Sequence, residues 1–108
     1  MNKKYLNNLI RVYISLEEKE VIEKHTSAPL SLIRKIDASI EKAKTKREVI
    51  KRVSITLTVE ELNNLIANIA EKANQHNTLP EIQYTLDSLF GKLATKYNDN
   101  ILTDTPLL

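Results

Sequence analysis

Apolar and polar residues first fall into a regular order in the hexad Arg11-Val12-Tyr13-Ile14-Ser15-Leu16, where Val12, Ile14 and Leu16 alternate with Arg11, Tyr13 and Ser15. A period of two sends one set of side chains to a buried face and the other to solvent, so the hexad predicts a half-buried strand. The same order returns at Arg52-Val53-Ser54-Ile55-Thr56-Leu57. Ahead of the first hexad, Tyr5, Leu6, Leu9 and Ile10 stand at helical spacing and predict a short helix or ordered arm over residues 1–10.

Both hexads run into helix-opening signals. Ser15 is followed three positions on by Glu18, and Thr58 by Glu61. In that arrangement the hydroxyl accepts an early helical N–H while the carboxylate reaches back to the cap. The first signal predicts a helix of about Leu16 to His25, with Val21 and Ile22 inward. Thr26-Ser27-Ala28-Pro29 breaks it, and a second helix carries Leu32, Ile33, Ile36, Ile40 and Ala43 on one stripe. The charged run Lys42 to Glu48 is its solvated end or a connector. Thr58 opens a helix with Leu62, Leu65, Ile66, Ile69, Ala70 and Ala73 on one face, ended by Asn74-Gln75-His76-Asn77. Thr78 and Glu81 then predict a further reciprocal cap, and a last helix with the stripe Ile82, Leu86, Leu89, Phe90, Leu93 and Tyr97. Gly91 weakens that helix and suggests a close crossing. Asn98 to Leu108 has no periodicity and ends near Pro106, which predicts fraying.

Strand, helix and helix thus occur twice in the same order, with Ile36, Ile40 and Ala43 aligned on Leu86, Phe90 and Leu93. The expectation is a mostly α, α+β fold: a single domain over residues 1–108 built from a duplicated β-α-α unit. The first repeat spans 11–51, the second 52–97, and 98–108 is a flexible tail. A single strand cannot form a sheet, so the two strands pair into a short ribbon packed on about four helices, or each pairs with a partner chain.

Composition agrees with a helical chain. One Gly and three Pro among 108 residues are poor stock for a turn-rich all-β protein, and 42% hydrophobic with 28% charged residues is ordinary for a globular domain. Cysteine is absent, which removes disulfides and thiolate metal sites and favours a reducing, cytoplasmic setting. No apolar run approaches the roughly 20 residues that span a bilayer, so no membrane partner is expected. The net charge of +2 is unevenly distributed. Through Arg52 there are 13 Lys/Arg against 7 Asp/Glu; from Val53 onward the counts are 3 and 7. A basic half joined to an acidic half implies an electropositive face, or head-to-tail complementarity between copies.

Candidate chemistry is sparse. His25 and His76 stand near helix ends without the further ligands that zinc needs. Glu17-Glu18 and Glu60-Glu61 fall in first helical turns, where acids stabilise the helix dipole. A single Gly cannot build a phosphate-cradling loop. No enzyme activity, metal or cofactor is expected.

The segment Arg52 to Leu62, like Arg11 to Glu18, resembles the opening of ribbon-helix-helix DNA-binding proteins. The resemblance implies antiparallel paired strands lying in the major groove, outward side chains reading bases, and the N-terminus of each second helix holding a phosphate. Carried onto this chain, the reading residues are Arg11, Tyr13 and Ser15 with Arg52, Ser54 and Thr56, and the phosphate clamps lie near Ser27 and Thr78. Lys44, Lys46 and Arg47, from the basic stretch before Arg52, would add phosphate contacts. The chain departs from that family in lacking a Gly-containing turn between its helices, and in placing Glu60 and Glu61 beside a strand. The leading expectation is a small non-enzymatic binding protein acting through protein–protein interaction, homo-oligomeric, of the kind used as accessory or inhibitor by phages and mobile elements. A ribbon-helix-helix-like DNA-binding regulator is the alternative, and a small-ligand binder or sequestering protein the second alternative.

Overall fold

In the computed structural model, which describes residues 9–46, 49–75 and 77–104, the alternating segments form strands β1 (Leu9–Ser15) and β2 (Arg52–Thr58). Both follow the same alternation, with Ile10, Val12 and Ile14 buried on one strand and Val53, Ile55 and Leu57 on the other. They pair antiparallel within the chain, from Leu9 opposite Thr58 to Ser15 opposite Arg52, with the Val12–Ile55 pair at the centre. A one-residue slip would turn every buried Val, Ile and Leu to solvent, and that fixes the register. The expected helical arm meets a correction here. Leu9 and Ile10 open β1, because Ile10 continues the inward alternation and pairs with Leu57; cross-strand packing overrides the local helical spacing. The rest of that arm, with Tyr5 and Leu6, lies outside the described residues.

Among the described residues four helices complete the order: α1 (Leu16–His25) and α2 (Leu30–Lys44) after β1, then α3 (Val59–Ala73) and α4 (Pro80–Asp104) after β2. The molecule is therefore mostly helical with a two-stranded antiparallel sheet, an α+β fold. Two of the three expected capping boxes are present. The Ser15 hydroxyl accepts from the Glu18 N–H at 3.0 Å and the Glu18 carboxylate accepts from the Ser15 N–H at 2.9 Å. Thr58 and Glu61 make the same two bonds at 3.1 and 2.9 Å. These caps turn each strand directly into its helix with no intervening loop.

At α4 the local chemistry differs from the expected cap. The Thr78 hydroxyl donates to Gln83 Oε1, and the Gln83 amide donates to the Ala73 carbonyl, which ties the end of α3 to the start of α4. The helix continues through Asp104, since nothing between Tyr97 and Pro106 interrupts it; of the expected tail, residues 105–108 lie outside the described residues. Gly91 permits no close crossing. A Cβ added there would meet no atom within 4 Å.

One core joins all six elements. The inward ribbon residues meet Val21 and Ile22 of α1, Leu32, Ile33 and Ile36 of α2, Leu62, Leu65, Ile69 and Ala73 of α3, and Leu86, Leu89 and Leu93 of α4. No polar or charged side chain is buried among the described residues. Phe90, expected on the last stripe, is instead 39% exposed. With every helix on one side, the outer face of the ribbon is left open to solvent.

Candidate functional site: the outer face of the ribbon

A two-stranded sheet covered on one face presents its other side chains in a fixed row. Here that row is Leu9, Arg11 and Tyr13 on β1 with Arg52, Ser54 and Thr56 on β2, all exposed. Arg11 stands opposite Thr56 and Tyr13 opposite Ser54. The Arg52 guanidinium lies over the Tyr13 ring, 4.9 Å from its centroid, on the diagonal between cross-strand pairs. Such stacking leaves the charge on the surface while holding a long side chain in place.

The Tyr13–Arg52 pair forms a ridge between two clefts that share it. One cleft, of about 490 Å³, is lined on its far side by Ser39, Lys42 and Lys46 of α2 and the segment after it. The other, of about 360 Å³, is lined by Ser15, Glu18, Lys92 and Lys96. Cations thus predominate on both flanks of the ridge.

The lone carboxylate there is already engaged. Lys92 Nζ donates to Glu18 Oε1 at 2.7 Å and to the Tyr13 carbonyl at 2.8 Å. Lys35 Nζ does the same on the opposite edge, donating to the Thr56 carbonyl at 3.1 Å and to both Glu61 oxygens at 3.1 and 3.2 Å. A two-stranded sheet has two open edges, and each lysine covers one carbonyl on one of them. Glu18 and Glu61 are at the same time held in the caps. The Glu61 carboxyl is held below its ordinary value of 4.5, chiefly by the Thr58 N–H and then by Lys35, against an opposing effect of burial. The acid that the sequence places beside the strand stays ionised and is paired with Lys35; Glu60 remains exposed.

Of the residues expected to read DNA, Arg11, Tyr13, Arg52, Ser54 and Thr56 share this face. Ser15 lines the smaller cleft beside them, with its oxygen accepting the Glu18 N–H as the cap of α1. In the basic stretch Lys46 lines the larger cleft, Lys44 pairs with Glu41 at 3.2 Å, and Arg47 lies outside the described residues. Lys92 and Lys96 were not among the expected site residues, and Lys42 was expected only as the start of the basic segment that runs to Arg52. The signal for Lys42 was present, since Ser39, Lys42, Ala43 and Lys46 recur at helical spacing and Lys44 falls between them. No such local signal reaches Lys92 or Lys96, which arrive from the far end of the chain.

The expected phosphate clamps are unequal. α2 begins after Pro29 with no side-chain cap and no acid in its first turn, whereas α4 carries Glu81 there. Among the described residues no group of His, Asp or Glu is placed to hold a metal ion, and no helix is long and apolar enough to cross a membrane. His25 ends α1; His76 lies outside the described residues.

Comparison with protein-family models, with curated proteins and with solved structures finds no match to this chain.

Proposed function

We propose that this chain is a non-enzymatic binding protein, a single-chain counterpart of a ribbon-helix-helix dimer, whose outer ribbon face docks on duplex DNA. The observation that carries the reading is the exposed row of Arg11, Tyr13, Arg52, Ser54 and Thr56 on a closed ribbon, flanked by cationic clefts. An antiparallel ribbon fits the major groove, its outward side chains meet base edges, and flanking lysines meet phosphates.

A duplicated β-α-α unit supports the same reading, in a register shifted from the one the hexads suggest. Aligned by cap, Ser15 corresponds to Thr58 and Glu18 to Glu61, so Arg11 corresponds to Ser54 and not to Arg52. The buried Ile22 then matches the buried Leu65. Lys35 and Lys92 match as well, each reaching from a second helix to the strand and cap of the other unit. From that pair the buried Leu32 and Ile36 match Leu89 and Leu93, and α4 carries extra turns before Leu86. Such reciprocal contacts are those of a two-fold dimer written into one chain.

A protein partner is the second reading, favoured by apolar exposure on the same face: Leu9 is 64% and Tyr13 42% exposed. Salt dependence separates the two. DNA binding releases counterions, so affinity for a duplex of about 20 base pairs should fall steeply, on the order of a hundredfold or more, between about 50 and 200 mM salt. The Arg11→Ala/Arg52→Ala variant should keep its fold and lose at least tenfold in affinity. Absence of any duplex binding near 50 mM salt, by fluorescence anisotropy, would contradict the reading and favour the protein partner.

A further inference from the structure

We infer that the ribbon recognises a non-palindromic duplex site, because its two halves share a framework and differ at every outward position. The inference rests on the DNA-docking reading above. A protein with two equivalent halves meets a two-fold symmetric operator, since symmetry in the protein is mirrored in the site. The relevant axis here passes through the central Val12–Ile55 pair.

Inward and structural positions on either side of that axis keep their chemistry. Ile10 matches Val53, Ile14 matches Leu57, and Ser15–Glu18 matches Thr58–Glu61, each with the same burial or the same bonds. Outward positions do not. Leu9 faces solvent where the other half has Arg52, Arg11 where it has Ser54, and Tyr13 where it has Thr56. An arginine reads guanine through two acceptors, whereas a serine hydroxyl discriminates weakly and a leucine offers only apolar contact. Bases approached by equivalent positions therefore meet different chemistry in the two halves.

The flanks are unequal as well. In the Lys35–Lys92 correspondence Lys42 of α2 matches Asp99 of α4 and Ser39 of α2 matches Lys96 of α4, so the lysines on the two flanks stand at different positions of their helices. Lys42 and Lys46 line the cleft beside Arg52 and Ser54. Phosphates on the two flanks therefore meet differently placed cations, which gives the chain one preferred orientation on an asymmetric site.

The test is selection of bound duplexes by the full chain from a random-sequence pool, followed by sequencing. The expected result is an enriched motif that differs from its own reverse complement. A second protein, Arg11→Ser/Ser54→Arg, exchanges two equivalent exposed residues. It should move the strongest base preference to the other half of the motif. A palindromic motif, or duplex binding with no enriched motif, would overturn the inference and leave the DNA-docking reading standing. Retention of no duplex at all, by protein whose circular dichroism shows it folded, would overturn both.

Discussion

Single residues carry two effects that the fold makes predictable. Gly91 sits mid-helix in α4 with open space around its Cα, so its glycine serves no packing purpose. Gly91→Ala should stabilise the protein by about 0.5–1 kcal/mol by restricting the unfolded chain and restoring helix propensity. Thermal denaturation should show this as a rise of several degrees, and a fall would mean that α4 bends at this point. Glu61 supplies the pH-dependent effect. Its folded carboxyl titrates below its ordinary value of 4.5, so its stabilising contribution is complete above that pH. It fades as pH falls through the lower folded value, where the N–H of Thr58 and the ammonium of Lys35 face a neutral acid. Denaturant melts of wild type and Glu61→Gln should therefore differ most at neutral pH and converge as the pH is taken down through the lowered folded value. With the carboxylate 40% exposed, solvent screening keeps the difference small.

Among the elements, the strands and two of the helix starts were legible in sequence, because each rests on a local signal. Alternation at Val12–Ile14 and Val53–Leu57 leaves only one face to bury, and Ser15–Glu18 and Thr58–Glu61 close bonds within four residues of chain. What was not legible depends on partners far away in sequence. Leu9 and Ile10 have helical spacing and become strand only because Thr58 and Leu57 lie opposite. Lys35 and Lys92 look like ordinary surface lysines until the ribbon edges come within reach. The same bonds make a prediction for the helices they bind to the ribbon. Lys35→Met and Lys92→Met should each cost on the order of 1 kcal/mol in denaturant melts, since each strips bonds from a carbonyl and a capping carboxylate. Lys24→Met, which loses only an exposed pair with Glu20 one turn away, should cost close to nothing. Equal losses at all three positions would remove the lysine ties from the account of how the ribbon is held.

For the whole molecule, the ribbon has one side committed to the core and one side available for binding. Every helix packs beneath it, so Arg11, Tyr13, Arg52, Ser54 and Thr56 are displayed by a scaffold whose register the buried Ile, Val and Leu residues enforce. The charge asymmetry visible in composition acquires a location: Lys42, Lys46 and Arg52, all from the basic half, meet Lys92 and Lys96 from the acidic half around one ridge. The proposed docking of duplex DNA on this face is checked by amide chemical-shift mapping with a short duplex added at low salt. Shifts should concentrate in Leu9–Ser15, Arg52–Thr58 and the α2 turn carrying Lys42, with the exposed side of α3 around Asn63 and Asn64 unmoved. Shifts clustered instead around Leu79 and Tyr84, or a ribbon whose amides do not respond at saturating duplex, would contradict it.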